Sequence, residues 1–222
     1  MVSHDILDAR YSRVAESIAQ CSNLKRGHMA TAMAAASSER TKSIAFVALS
    51  IALMAVSAWV TVPLGPVPFT LQIFVFTFVL IMLEPKLAMA SLIGYLALGA
   101  IGVPVFSGMR GGIGVLAGPT GGFLWGYIVG FALAIAVGKL IRPSSSGASI
   151  KGFDSRDVVR AFVMAFVYLA CAYVCGWFQL MLLMSLTPAE AFASAVAPFI
   201  VVDIVKIVAA VFVALAVKRA LA

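Results

Sequence analysis

The stretch AVAPFIVVDIVKIVAAVFVALAV, residues 195–217, decides the fold class of this chain. It is apolar throughout except for Asp203 and Lys206, and a run of about 20 such residues spans a bilayer as an α-helix. The rest of the chain has the same character, since 63% of its 222 residues are apolar, 11% are charged and the mean hydropathy is +1.07. Soluble globular proteins average about 45–50% apolar and about 25% charged residues. This composition therefore excludes a soluble globular protein and, equally, a disordered one.

Five more apolar runs precede residues 195–217 and predict an all-α integral membrane protein with six transmembrane helices. The second and third runs are short for spanning helices, and only Glu84, Pro85 and Lys86 separate them, which predicts a tight turn. Residues 1–42 are predicted to form a cytoplasmic tail, either amphipathic or mobile, and residues 43–222 the membrane domain. The five runs cover residues 43–62, 69–83, 87–101, 122–140 and 158–184.

The positions of the Lys and Arg residues predict the orientation of the chain. With the N-terminus inside, 14 of the 16 basic residues lie in inner segments, and only Arg110 lies in the outer loops 63–68, 102–121 and 185–194. Because cytoplasmic loops are enriched in Lys and Arg, both termini are predicted to be cytoplasmic. The net charge of +7 is then a sign of membrane orientation, and we expect lipid rather than nucleic acid around this chain.

Asp203 and Lys206 are the two charged residues inside a span, where each charge costs about 2.5–3.5 kcal/mol on insertion scales. Three residues apart, they share one face of a helix. Counted from Ala195, they lie roughly 12–17 Å along the span. Two interpretations stay open: a mutually satisfied structural ion pair, or a polar pocket in which Asp203 accepts ligand N–H groups and Lys206 meets a ligand carboxylate.

A glycine-rich outer loop, residues 99–122, contains nine glycines in 24 residues. Irregular backbone at membrane depth is tolerated where it is buried in protein or lines a cavity, which favours a lid over a ligand site. Gly111, Gly112 and Gly114 lie in this loop and are candidate site residues. Arg110 either draws in an anionic ligand or is an ordinary surface arginine.

Two weaker patterns lie near the first span. Gln72 follows a proline-rich loop and places a polar side chain at the predicted outer interface. Ala48 and Ala52 belong to a stripe of alanines spaced three or four residues apart, which lets another helix approach closely. The stripe serves either packing within the protein or contact with an external partner.

Several classes of enzyme are disfavoured by what the spans lack. Histidine occurs only at His4 and His28 in the tail, so no Ser–His pair can form inside the membrane. The single Asp in the spans rules out an aspartyl dyad. No nucleotide-binding motif occurs, so a different chain must hydrolyse ATP if transport requires it. Cys171 and Cys175 are interpreted as packing residues rather than a metal or redox pair, and we expect no metal or cofactor.

Four ordered motifs together resemble one family. They are VPLGPVPFTLQ at 62–72, LGAIGVPVF at 98–106, GGIG at 111–114 and GPTGG at 118–122. From about residue 43 to the end, the chain resembles BioY, the biotin-binding S component of energy-coupling factor (ECF) transporters.

The resemblance implies a six-helix membrane protein that binds biotin near the outer face under its loops. Asp203 and Lys206 match the Asp-x-x-Lys of the family's last helix, and Ala48 and Ala52 match the alanine motif that contacts a transmembrane T component. A T component and two ATPase subunits are the implied partners, although some BioY proteins work without a dedicated ATPase module; a homo-oligomer also stays open. The implied location is the bacterial cytoplasmic membrane.

Biotin fits the chemistry of these residues. Its ureido N–H groups suit Asp203, and its carboxylate suits Lys206 or Arg110. Its apolar rings and chain suit Tyr95 and the glycine-rich loop, and Gln72 is expected to reach a polar end. The alternatives are an S component for thiamine or riboflavin and an intramembrane enzyme that uses Asp203 as a base.

Overall fold

The computed structural model describes residues 37, 39–63, 67–141 and 155–221. Most of the predicted tail, 1–42, lies outside these residues. The chain divides into two units, Met1–Ala45 and Phe46–Ala222, and the packing described below lies within the second.

The described residues form helices and one short hairpin. In chain order the elements are α1 (Glu39–Trp59), β1 (Thr61–Val62), β2 (Phe69–Thr70), α2 (Gln72–Met82), α3 (Pro85–Ala100), α4 (Ile113–Ala117), α5 (Gly121–Leu140), α6 (Ser155–Met184), α7 (Pro188–Ala195) and α8 (Ile200–Leu221). The two strands pair antiparallel, with Thr61 opposite Thr70.

Four of the described helices, α1, α5, α6 and α8, are long and apolar enough to cross a membrane. The second and third predicted spans correspond to α2 and α3, which are apolar but shorter. Pro85 at the first position of α3 produces the tight turn between them. Most side chains of α2 are buried, including Phe76 and Thr77 with no exposed surface, so α2 lies inside the bundle and packs mainly on α8.

The beginning of the last span differs from the prediction. Residues 195–199 are not part of α8: α7 ends at Ala195, a turn containing Pro198 follows, and α8 begins at Ile200. Asp203 therefore lies in the first turn of α8, only about 5 Å from its start, and Lys206 lies about 9 Å from it. The predicted start of the last helix at residue 195 is wrong because the proline and the turn interrupt the apolar run.

Helices α5 and α6 make the most extensive helix contact of the bundle. Gly122, Gly126 and Gly130, spaced four residues apart on α5, lie directly against the backbone of α6. A Cβ atom added to Gly126 would approach Ala172 Cα to 2.8 Å, and one added to Gly130 would approach the carbonyl oxygen of Tyr168 to 2.9 Å. This contact, the glycine seam, depends on the absence of side chains.

Candidate ligand-binding cavity

A cavity lies among β2, α2, α5, α6, α8 and the glycine-rich loop, and its roughly 640 Å³ of space includes the solvent at its open side. Apolar side chains form most of its wall, and a few polar groups converge on it. The polar residues are Thr70, Gln72, Ser107, Arg110, Thr120, Tyr127, Tyr173, Asp203 and Lys206; the apolar ones include Ile73, Phe106, Val115, Phe123, Leu124 and Phe199.

Asp203 and Lys206 form a buried ion pair at this cavity. Lys206 Nζ donates to Asp203 Oδ1 at 2.7 Å, and the two residues are 8% and 4% exposed. The second carboxylate oxygen, Oδ2, accepts a hydrogen bond of 2.7 Å from the hydroxyl of Tyr173 on α6. Both oxygens of Asp203 thus have one protein partner and retain capacity to accept another hydrogen bond.

Lys206 also ties α8 to the hairpin. Its Nζ donates to the backbone oxygen of Thr70 at 2.7 Å, and it lies 3.7 Å from the ring centroid of Phe69, a cation–π contact. An ammonium group has three N–H donors. Two of them bond to Asp203 and Thr70, and the ring of Phe69 lies beside the group. We name the group formed by the Asp203–Lys206 ion pair and the backbone oxygen of Thr70 the polar seam.

A chain of hydrogen bonds leads from the polar seam to the glycine-rich loop. The hydroxyl of Thr70 donates to Gln72 Oε1 at 3.1 Å, and Gln72 Nε2 donates to the hydroxyl of Tyr95 at 3.0 Å. Tyr95 in turn donates to the backbone oxygen of Val105 at 3.0 Å. These buried groups connect α8, β2, α2, α3 and the loop in one network.

Arg110 lies at the exposed side of the cavity. The loop turns back there because Gly108 and Met109 both have positive φ angles, 69° and 58°, and the amide of Phe106 then donates to the carbonyl of Arg110 at 2.9 Å. Arg110 Nε donates to the carbonyl of Ser107 at 3.1 Å. This bond orients the guanidinium, whose terminal nitrogens can bind an anion bidentately.

The structure brings four of the predicted site residues together at the cavity, namely Asp203, Lys206, Arg110 and Gln72. Tyr95 lies one layer behind, fully buried, with its hydroxyl engaged by Gln72 and Val105. It differs from the prediction, because Tyr95 is not among the residues that line the cavity.

The three predicted glycines do not line the cavity either; they shape the loop. At Gly111 an added Cβ would lie 2.6 Å from the carbonyl oxygen of Gly102, and Gly112 has a φ angle of 96°. Gly114 has open space around it. The loop is also less irregular than expected, because its residues 113–117 form α4.

Sequence reasoning missed two tyrosines of the cavity, Tyr127 on α5 and Tyr173 on α6. Tyrosine is ordinary in membrane helices, so neither stands out by residue type. Tyr173 stands out only through its bond to Asp203, which lies 30 residues further along the chain.

Comparison with known proteins adds the family. Residues 28–222 match the BioY family. The chain belongs to the BioY family. Two relatives cover most of this BioY protein. One, "Probable biotin transporter BioY" of Pyrococcus horikoshii, is 38% identical over 175 residues, which are 79% of this chain and 95% of the relative. The "Biotin transporter BioY" of Thermotoga maritima is 35% identical over 173 residues, 76% of this chain and 90% of the relative.

A solved structure supports the fold of this BioY protein. The S-component for biotin from an ECF-type ABC transporter, a crystal structure at 2.1 Å, matches with a TM-score of 0.70. The match covers 82% of this chain and 93% of that one, at 22% sequence identity. The predicted fold, a helical membrane protein like the S components, is confirmed.

Proposed function

We propose that this BioY protein binds biotin in the cavity beside Asp203 and Lys206 and takes part in its uptake across the membrane. The relatives named as biotin transporters, which match over most of their length, support the ligand. The observation that carries the proposal is the buried charge of Asp203 at a cavity whose wall is mostly apolar, because an intramembrane charge is costly and is kept for function.

Asp203 is the proposed partner of the ureido group of biotin. Lys206 and Tyr173 each donate to one of its two oxygens, which orients the carboxylate before a ligand enters. The remaining lone pairs accept the ureido N–H groups. A ligand whose N–H groups bond to the buried carboxylate binds favourably. A ligand without such donors would leave acceptor positions of Asp203 without a hydrogen bond.

Arg110 is the proposed partner of the carboxylate of biotin. Lys206 already donates to Asp203 and Thr70 and lies beside the Phe69 ring, which leaves it one N–H for a ligand. Arg110 instead presents terminal N–H groups at the open side of the cavity. Biotin would then lie with its ring system toward Asp203 and its carboxylate toward the outside, with Gln72 beside it. In this arrangement Tyr95 and the glycines support the site from behind.

Delivery into the cell is proposed to involve a T component and two ATPase subunits, or the chain alone. The alanine stripe of α1 is buried in one part and exposed in the other. Ala55 and Ala58 are buried, whereas Ala48 and Ala52 are exposed. An exposed pair of small residues four apart suits close approach of another helix, which favours the external-partner interpretation for Ala48 and Ala52.

Calorimetry on the purified protein tests the ligand. We expect tight binding of biotin, none of thiamine or riboflavin, and weaker binding of biotin methyl ester, which lacks the carboxylate charge. Asp203→Asn should weaken biotin binding about a hundredfold or more, since it removes one partner of a buried charge pair.

Thr77→Val is the matched control for Asp203→Asn. Thr77 is buried on α2 and its hydroxyl has no hydrogen-bond partner among the described residues, so its replacement should leave biotin affinity unchanged. Intact binding by Asp203→Asn would contradict the assignment of the site, and tight binding of another vitamin would contradict the assignment of biotin.

A further inference from the structure

Gln179, on the outer part of α6, holds the second half of the glycine-rich loop. Its Nε2 donates two hydrogen bonds, to the backbone oxygen of Leu116 at 3.1 Å and to that of Gly118 at 2.7 Å. Leu116 O also accepts a bond of 3.3 Å from the indole N–H of Trp125 on α5. A side chain from a spanning helix thus satisfies two carbonyl groups at the end of α4.

Gln179 adds a second hydrogen bond to each carbonyl, because Gly118 O also accepts from the backbone N–H of Gly121 at 2.9 Å and Leu116 O from Trp125. α4 has only five residues, and a helix leaves its last carbonyl groups without intrahelical partners. The approach is also close: a Cβ atom on Gly121 would clash with the backbone oxygen of Leu116, which requires glycine where the loop enters α5, and it would lie 2.8 Å from Gln179 Nε2.

Two residues close to the bonded carbonyl groups of Leu116 and Gly118 belong to the wall of the cavity. Val115 and Thr120 line the cavity, whereas Gln179 does not. The two hydrogen bonds therefore act on the wall of the cavity from behind. Movement of the segment 113–120 away from α6 would break both bonds and withdraw Val115 and Thr120 from the ligand.

We propose that Gln179 is a positioning residue that holds the segment 113–120 closed over the cavity and thereby sets how slowly the ligand leaves. The inference rests on the proposed function for the identity of the ligand, biotin. It adds a determinant of ligand release that touches neither the ligand nor the polar seam.

Binding kinetics of the full chain in detergent or nanodiscs test this role. Gln179→Leu and Gln179→Glu remove the donor and should raise the dissociation rate of biotin on the order of tenfold, the loss expected for one or two hydrogen bonds. The association rate should stay within about twofold. The dissociation rate of Gln179→His should lie between those of these variants and that of the unchanged chain. The Nε2 of histidine is the same number of bonds from Cβ as the amide nitrogen of glutamine, so it can donate one hydrogen bond at a similar position. Phe178→Leu, on the same helix but 55% exposed, is the matched control and should change nothing.

Hydrogen exchange of residues 113–118 in the ligand-free protein provides a measurement that does not depend on biotin. Gln179→Leu should speed exchange there and leave α5 and α6 unaffected. An unchanged dissociation rate together with unchanged exchange in Gln179→Leu would overturn the inference. It would also be overturned if Gln179→Leu reduced only the fraction of protein that binds biotin, with the same dissociation rate in that fraction. If the unaltered chain fails to bind biotin, the proposed function fails, and exchange alone then decides whether Gln179 holds the segment.

Discussion

The glycine seam and the polar seam join helices of the same bundle by opposite means. At the glycine seam, Gly122, Gly126 and Gly130 bring α5 onto the backbone of α6 by omitting side chains. At the polar seam, a buried ion pair and a backbone carbonyl connect α8 to the hairpin before α2. Packing of small residues stabilises helix contacts without desolvating a charge, whereas a buried ion pair often contributes no net stability. From this difference we propose that the glycine seam stabilises the fold and that the polar seam binds the ligand.

Removing one charge from the polar seam should have the largest effect. Lys206→Met leaves Asp203 buried without its cation, and breaking a buried pair in this way costs about 3–5 kcal/mol. We expect a large loss of stability in thermal unfolding of the detergent-solubilised protein, together with loss of biotin binding.

The double variant Asp203→Asn with Lys206→Met sharpens the comparison. With both charges gone, no unpaired ion remains, so stability should recover by more than half while biotin binding stays absent. A double variant as unstable as Lys206→Met would mean that the polar seam is a structural element, and the proposed division between the two seams would be wrong.

Adding one methyl group to the glycine seam should come next. Gly126→Ala places a Cβ atom 2.8 Å from Ala172 Cα, and because the neighbour is backbone, the helices must separate. Overpacking of this kind costs about 1–3 kcal/mol, visible as a lower midpoint of thermal unfolding. The affinity of the fraction that remains folded should be nearly unchanged.

Gly114→Ala is the matched control for the glycine seam, since an added Cβ meets nothing within 4 Å there. Its unfolding midpoint should match that of the unaltered chain. If Gly126→Ala were equally harmless, or if it lowered affinity rather than stability, the glycine seam would not have the role assigned to it.

The two seams also differ in how far the sequence reveals them. Asp203 and Lys206 are conspicuous because charges are scarce in spans, and they were predicted as site residues. The spacing of Gly122, Gly126 and Gly130 is equally visible, yet glycines four apart indicate only that some helix approaches closely, and α6 as the partner follows from the fold.

Other features depend on contacts that no local pattern encodes. Tyr95 is predicted at the ligand, but in the structure Gln72 lines the cavity and Tyr95 bonds to Gln72 from outside the lining. α7 was taken as part of an outer loop, although Thr187, Pro188 and Glu190 carry a helix-start signal, a capping box with proline at the first position. The continuous hydropathy of residues 195–217 predicts one helix from Ala195, whereas α7 ends there and α8 begins at Ile200.

The network behind the polar seam should give a smaller effect than either seam. Tyr95→Phe leaves the carbonyl of Val105 and one N–H of Gln72 without a partner, at a cost of about 1–3 kcal/mol. We expect this cost to appear as weaker biotin binding in calorimetry, because the loop beside Arg110 is released.

Tyr168→Phe is its matched control. Tyr168 is as deeply buried as Tyr95, but its hydroxyl has no hydrogen-bond partner among the described residues. Removing that hydroxyl should leave affinity unchanged and stability equal or slightly higher. Equal losses of affinity in the two variants would show that burial of a tyrosine, and not the bond to the loop, matters at this place.

The smallest effect is expected at α7, which connects α6 of the glycine seam to α8 of the polar seam. Glu190 accepts hydrogen bonds from the hydroxyl and the backbone N–H of Thr187, and these bonds lower the pKa of its carboxyl below the ordinary value. A carboxylate with a lowered pKa stabilises the fold above its ordinary pKa, and this contribution is lost as the pH falls through the lowered value.

Thr187→Ala removes the hydroxyl and keeps the backbone N–H, so the pKa of Glu190 should rise part of the way to its ordinary value. An NMR titration of the chain with labelled glutamate measures this shift. The unfolding midpoint at neutral pH should fall slightly, and biotin affinity should change by less than about twofold, since α7 contributes to the cavity only through Ala195 at its end. A large loss of affinity would mean that α7 positions the start of α8, and the polar seam would then depend on a helix cap as well as on its own charges.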